Sequence, residues 1–354
     1  GGASSGADGG ELRSLFGGIC NATTASDDRE IPHDCVLHKA TLDPRESIIN
    51  CSPFEGGANN IFGLKWCAWA PHEDGLSKNV LQSTVPDMEK EPIDALQAAI
   101  QNKPRGIVID AGAQIGLFSA AALAAGHYTI SIDARIEHVQ LNMVSRRLNN
   151  LSNVEHGFVV HGALSDRCGQ WATIPREIQR NNPGGTNIHG RVTDGYPFSP
   201  TRDGFYQFSS VPVLTLDYII NNALHNLPNG VEEKVYAFKI DIEGYEPRAL
   251  IGASEMFSKL QPDLIIMELF AHRFKDCSAH QLIRALAKIG YRIDVVDRLG
   301  WHQKKNIGCR GDNSDACTNL IWGSDKFESF LNRLHDRAEM DLVLTIINST
   351  TGVT

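Results

Sequence analysis

A short apolar run from Gly106 to Ile109 leads into Asp110-Ala-Gly-Ala-Gln-Ile-Gly116 and then into an alanine-rich stretch from Leu117 to Ala125. The run has the length and β-branched content of a buried parallel strand, and the glycines allow a sharp turn into a helix. Strand, glycine turn and helix in that order predict a doubly wound α/β sheet, in which ligands gather beyond the carboxyl ends of the strands. The next strand-like run ends Ile130-Ser-Ile-Asp133, placing a second carboxylate at the same edge. An acid there accepts hydrogen bonds from ribose hydroxyls, so the pattern predicts a nucleoside-containing ligand.

Charge narrows the choice of nucleoside. A dinucleotide loop of the G-x-G-x-x-G kind needs a second glycine close behind the first, so that backbone amides approach a pyrophosphate at the helix N-terminus. Here the glycines are Gly112 and Gly116, with Gln114 between them, and Asp110 stands at the strand's end. An anion in that place repels pyrophosphate but suits a ligand carrying an ammonium and a sulfonium, the charge pattern of S-adenosylmethionine. Asp133 serves either ligand. A nicotinamide-dependent oxidoreductase is therefore the competing expectation, weakened by Asp110 and by the missing glycine.

From Gly106 onward strand-like runs near 106–111, 128–133, 154–164, 234–242, 262–270, 291–297 and 319–323 alternate with helical patterns near 117–125, 137–149, 245–259 and 278–289. Seven strands fit one Rossmann-like domain, expected over 90–340, with an amphipathic helix at Glu91–Gln101 leading into it. The Gly- and Ser-rich residues 1–30 read as a disordered leader. Residues 31–89 read as a cysteine-bearing extension, and 341–354 as a tail. The turn-rich stretch 166–211 reads as an insertion near the site mouth, where specificity commonly resides.

The 354 residues include 42 acidic and 33 basic side chains, a net charge of −9. Without a Lys/Arg cluster, that balance disfavours a nucleic-acid partner and leaves a small molecule or glycan as the expected acceptor. The longest apolar-looking run, Ile115 to Ile132, is interrupted by polar residues, so no membrane span is expected. Eight cysteines without a C-x-x-C pair argue for disulfides rather than zinc. Sequons begin at Asn21, Asn50, Asn150 and Asn348. Together these predict a glycoprotein of the secretory-pathway lumen or extracellular space, with cytoplasmic reduced thiols as the alternative.

A second constellation is the run Val235-Tyr-Ala-Phe-Lys-Ile-Asp-Ile-Glu-Gly-Tyr-Glu246. Strand alternation would put Lys239, Asp241 and Glu243 on one face, costly to bury unless they border the same crevice as Asp110 and Asp133. Taken in order, Asp110 to Gly116, Gly162-Ala-Leu-Ser-Asp166, Leu214-Thr-Leu-Asp217, Lys239 to Glu246 and Pro262-Asp-Leu-Ile-Ile-Met-Glu268 resemble the FkbM-type family of S-adenosylmethionine-dependent methyltransferases. The resemblance covers about 70–300. It implies a class I methyltransferase fold and O-methylation of a hydroxyl on a sugar or natural product. It also implies that Asp110, Gly112, Gln114 and Gly116 line the methionine side of the cofactor, Asp133 the ribose, and Ala163 and Leu164 the adenine.

An alcohol must lose its proton as the new bond forms, and a positioned carboxylate or histidine can take it. Asp241 is the first candidate and Glu243 the second, with Glu268 and His272, after the following strand, within reach of the crevice. No metal is assigned, although Asp241, Glu243 and Glu268 offer the oxygen ligands that Mg²⁺ or Ca²⁺ takes. A non-catalytic binding module on the same fold is the remaining alternative.

Overall fold

The computed structural model describes residues 9–20, 61–68, 75–175, 208–274, 276–296, 315–335 and 338–347. Strands β1 (Ile107–Ala111), β2 (Tyr128–Asp133), β3 (Gly157–His161), β7 (Val235–Ile240), β8 (Leu264–Phe270), β9 (Tyr291–Val296) and β10 (Glu339–Ile346) form one sheet in the order β3-β2-β1-β7-β8-β10-β9. All neighbours pair in parallel except β10, which runs antiparallel to both β8 and β9. That is the class I methyltransferase arrangement. A small sheet joins β4 (Ala163–Leu164), β5 (Trp171–Pro175) and β6 (Phe208–Leu214).

Helices cover both faces because the central strands are apolar on both sides. They are α3 (Asp87–Ile100), α4 (Leu117–Ala124), α5 (Ile136–Leu148), α6 (Leu216–His225), α7 (Glu246–Ile251), α8 (Ser254–Leu260), α9 (Ala279–Lys288) and α10 (Asp325–Arg333), preceded by α1 (Gly9–Gly17) and α2 (Gly75–Leu81). Two carboxylates outside the cleft have structural duties. Asp217 accepts from Glu255 N at 3.0 Å and Met256 N at 2.8 Å, capping α8. Asp166 pairs with Arg248 of α7 at 3.4 Å.

Register decides which polar groups meet inside. Pairing β1 with β2 and with β7 sets Ser131, Asp110 and Lys239 side by side in one row across three strands. The Asp110 carboxylate then caps α4, its Oδ2 accepting from Ser119 N at 2.9 Å and Ser119 Oγ at 2.6 Å. Ser119 Oγ also bonds Ser131 Oγ, which accepts from buried Arg146 at 2.7 Å.

Several expectations are corrected. Residues 9–20, assigned to a disordered leader, hold α1, whose Leu12 and Phe16 are buried, as is Ile19 just beyond its end. Their spacing outweighs the polar composition around them. Cys20 is disulfide-bonded to Cys277, fastening this helix to the segment after β8. The strand expected at 319–323 is only a bridge between Leu320 and Ile293. The seventh strand is β10 instead, taking in residues assigned to the tail. Its Met340, Leu342 and Leu344 are buried, because the slot between β8 and β9 must be filled by a paired strand.

The 154–164 run divides into β3 and β4 in different sheets, and the 245–259 helix breaks into α7 and α8 at Gly252, where a Cβ would lie 2.3 Å from Ser165 O. The 166–211 insertion contributes β5 and β6 as an antiparallel pair, with 176–207 outside the described residues.

The N-terminal extension is built onto the domain rather than appended to it. Ser145 and Asn149 of α5 each bond both the N–H and the C=O of an extended residue, Cys67 and Lys65 respectively. Cys67, Cys168 and Cys317 are also disulfide-bonded, while Cys35, Cys51, Cys309 and the sequons at Asn21, Asn50 and Asn348 lie outside the described residues. Asn150 is exposed.

Phe16 is fully buried, its ring centroid 5.3 Å from that of Phe257. Phe16→Ala is expected to lower unfolding stability by about 3–5 kcal/mol in urea titrations. A loss under about 0.5 kcal/mol would show that α1 does not belong to the core.

Candidate active site

A cleft opens beyond the carboxyl ends of β1, β2 and β7. Its floor is the glycine turn, Gly112 to Gln114, and one wall is the end of β2 from Ile132 to Arg135. Gly162 to Leu164 and Ile174 form an apolar side, while Lys239 and the turn from Asp241 to Glu243 form the opposite one. Leu76 of α2 and Glu89 of α3 close the outer rim.

Asp133 is fixed rather than free to swing. Its Oδ2 accepts from Gln114 N at 2.8 Å, its Oδ1 accepts from Arg135 N at 2.8 Å, and His138 Nδ1 lies 3.2 Å from Oδ1. Burial pushes its pKa up, but the His138 ring and the two backbone N–H groups outweigh burial and hold the carboxyl below its ordinary range. It is thus ionised and still borders the cleft.

Lys239 is the hub of the opposite wall. Its ammonium donates to Gly112 O at 2.6 Å and stands 3.9 Å from Asp110 Oδ1, 3.7 Å from Asp241 Oδ2 and 5.6 Å from the centre of the Phe118 ring. Burial favours the neutral amine, yet Asp241 and Asp110 outweigh it and raise the pKa, so the lysine stays charged. Asp110 shows the opposite balance: burial raises its pKa, with Lys239 and the Ser119 hydrogen bonds opposing.

The turn after β7 is shaped by Glu246, fully buried at the start of α7. Its Oε1 accepts from Ile242 N at 2.8 Å and Gly244 N at 3.2 Å. Glu243 and Gly244 adopt left-handed φ values of 61° and 100°. Because β7 ends at Ile240, strand alternation stops there: Lys239 meets Asp241, whereas Glu243 pairs with Arg273, whose guanidinium covers the Phe270 ring at 4.0 Å. At Gly112, φ is 76° and a Cβ would fall 1.7 Å from Asp241 O, so the glycine turn and the Asp241 turn interlock and only glycine fits.

The candidate residues from sequence divide accordingly. Gly112, Gln114, Asp133, Ala163, Leu164, Asp241 and Glu243 line the cleft. Asp110, 1% exposed, does not; it lies beneath the turn as a cap for α4. Gly116 sits behind the turn against Asn142, where its left-handed φ of 91° starts α4. Glu268 is buried beside the cleft, one of its carboxylate oxygens within 4.8 Å of those of Asp241 and Glu243. His272 is exposed and its ring packs edge-on to Phe270, away from the cleft, because a short 3₁₀ turn follows β8. The three clustered carboxylates are a donor set for a hard cation, but Arg273 and Lys239 already supply positive charge to two of them.

Sequence reasoning left Glu89, Arg135, His138, Tyr245, Glu246 and Arg273 out of the site. Tyr245 and Glu246 belong to the D-x-E-G-x-E run, and Arg135 and His138 follow Asp133 within five residues, whereas Glu89 and Arg273 are brought in by tertiary contacts.

Residues 110–293 match the methyltransferase FkbM domain, and the chain belongs to that family. No curated protein sequence matches it. Solved structures with some likeness include a SAM-dependent methyltransferase from Agrobacterium tumefaciens, 8% identical with a TM-score of 0.35, aligned over 74% of this chain and 62% of that protein. Another, from Geobacter sulfurreducens in complex with S-adenosyl-L-homocysteine, is 12% identical with a TM-score of 0.32, over 72% and 89% of the two chains. The geranyl diphosphate C-methyltransferase of Streptomyces coelicolor is 10% identical with a TM-score of 0.33, over 77% and 83%.

The chain is an S-adenosylmethionine-dependent methyltransferase by family. The cleft presents an ionised Asp133, an apolar side at Ala163, Leu164 and Ile174, and the carboxylates of Asp241 and Glu243.

Burial pushes the Glu246 carboxyl up to about 7, against an ordinary value of 4.5. The unfolded chain loses this proton near 4.5 and the folded chain near 7, so folding stability declines as pH rises between those values. The slope approaches 1.4 kcal/mol per pH unit, ~RT ln 10 per proton. Glu246→Gln keeps the accepting oxygen and should remove that component of the slope in urea titrations from pH 4.5 to 7. Identical slopes for the two proteins would contradict a buried, proton-holding Glu246.

Proposed function

We propose that this methyltransferase transfers its methyl group to a hydroxyl of a carbohydrate, glycoconjugate or related natural product, with Asp241 as the proton acceptor. The observation that carries the reading is the Asp241 carboxylate on the cleft wall, steered by Lys239 and carried on backbone packed against Gly112, in the cleft that Asp133 also lines. Bound S-adenosylmethionine supplies an electrophilic methyl carbon on a sulfonium. The chain's own residues supply placement, dryness and a proton acceptor. Holding the acceptor oxygen in line at about 3–3.5 Å accounts for most of the acceleration expected of such a site.

Asp241 accepts the hydroxyl proton as the oxygen–carbon bond forms and the methyl carbon–sulfur bond breaks to leave a thioether, a contribution of typically ~10²–10⁴-fold. Lys239 holds that carboxylate in place and ties it to the glycine turn, so the donor's floor and the proton acceptor move as one unit. Glu243, pinned by Arg273, orients the acceptor. Glu268 backs both carboxylates from β8.

The Cys20–Cys277 disulfide, with the bonded states of Cys67, Cys168 and Cys317, supports an oxidising compartment for the protein, in the secretory pathway or outside the cell. Among the described residues no helix is long and apolar enough to cross a membrane.

Asp133→Ala should weaken S-adenosylmethionine binding in calorimetry by at least tenfold, since it removes the ribose acceptor and the anchor of Gln114 N together. Asp241→Asn should leave that affinity within about threefold and lower turnover by ~10²-fold or more. Full turnover by Asp241→Asn would remove Asp241 from the chemistry.

A further inference from the structure

The cleft has an unusual charge pattern. Among its described lining residues the acids are Glu89, Asp133, Asp241 and Glu243, against the ammonium of Lys239 and the guanidinium of Arg135. Phosphate and carboxylate substrates are commonly held by guanidinium groups in a two-bond fork. Here Arg273 is already paired with Glu243 and stacked on Phe270, and Arg135 stands at the Asp133 end, within 3.8 Å of Glu137. Leu76, Phe118 and Tyr245 add apolar and aromatic surface. Ionised carboxylates are acceptors only, with room for several donors each, and so suit hydroxyl groups.

Glu89 differs from the other two acids in origin. It lies in the first turn of α3, outside the family-matched residues 110–293. The half-buried side chain lies at the positive end of that helix. Its charge also acts on Lys239 across the cleft.

Resting on the methyltransferase reading above, we propose that the acceptor is an uncharged polyhydroxyl compound and that Glu89 selects it, accepting a hydrogen bond from one of its hydroxyls and repelling anionic analogues. The N-terminal helices then set the specificity of a site whose chemistry lies in the family domain.

The test measures methyl transfer from labelled S-adenosylmethionine to matched pairs of methyl glycosides and their uronic acids in the gluco, galacto and manno series. Wild type and Glu89→Gln are compared, with calorimetry of S-adenosylmethionine binding to both. Wild type should favour the neutral member of a pair by at least tenfold in kcat/KM. Glu89→Gln should shrink that ratio at least threefold, through KM, with donor affinity unchanged. Preference for the uronic acids, or a ratio untouched by Glu89→Gln, overturns the proposal. Transfer to neither member of any pair, with donor binding intact, overturns the polyhydroxyl assignment and leaves the methyltransferase reading standing. Failure of wild type to bind S-adenosylmethionine overturns both.

Discussion

The ammonium of Lys239 is the point on which the site depends. It lies between Asp110 and Asp241 and donates to the carbonyl of Gly112, so it touches the strand that bears the glycine turn, the turn itself and the proposed proton acceptor. In so buried a place a charged group persists only with partners, and deleting one member of such a set costs about 3–5 kcal/mol. Here the partners are set by sheet register, which aligns Lys239 with Asp110 on the neighbouring strand. Asp110 in turn caps α4 and, through Ser119 and Ser131, reaches the buried guanidinium of Arg146. The polar row under the cleft is therefore one connected network, and its outer end is the proposed proton acceptor.

A second constraint is contact between backbones. Gly112 leaves no room for a side chain beside Asp241 O, and Gly244 leaves none beside Arg273. Two turns from distant parts of the chain are thereby pressed together, and Glu246 holds the second in its left-handed path with a single oxygen. Rigidity of this kind matters for methyl transfer, since an error of about 1 Å in placing the reactants costs on the order of 10²-fold in rate.

The family domain is completed by segments outside it. Helix α1 buries Leu12 and Phe16 in the main core, with Ile19 just beyond it, and is fastened by Cys20–Cys277. That disulfide lies a few residues beyond Arg273, so the back of the molecule is braced to the segment that steadies Glu243. Strand β10 closes the far side of the sheet, and α2 and α3 supply the rim of the cleft.

Much of this was legible in the residues themselves. The strand–turn–helix at Asp110 to Gly116, the acid ending β2 and the D-x-E-G-x-E run determined the fold class, the kind of cofactor and the wall bearing Asp241, because each rests on local backbone geometry and short spacing. Tertiary structure decided the rest. Asp110 proved to be a buried cap because its orientation depends on where α4 packs, and His272 was carried away from the cleft by a turn no periodicity announced. Helix α1 was hidden by the polar residues around its three apolar ones, and β10 by an acid-containing start whose burial makes sense only between β8 and β9. Glu89 and Leu76 reached the cleft through the docking of two helices onto the sheet, a long-range event that no sequence window records.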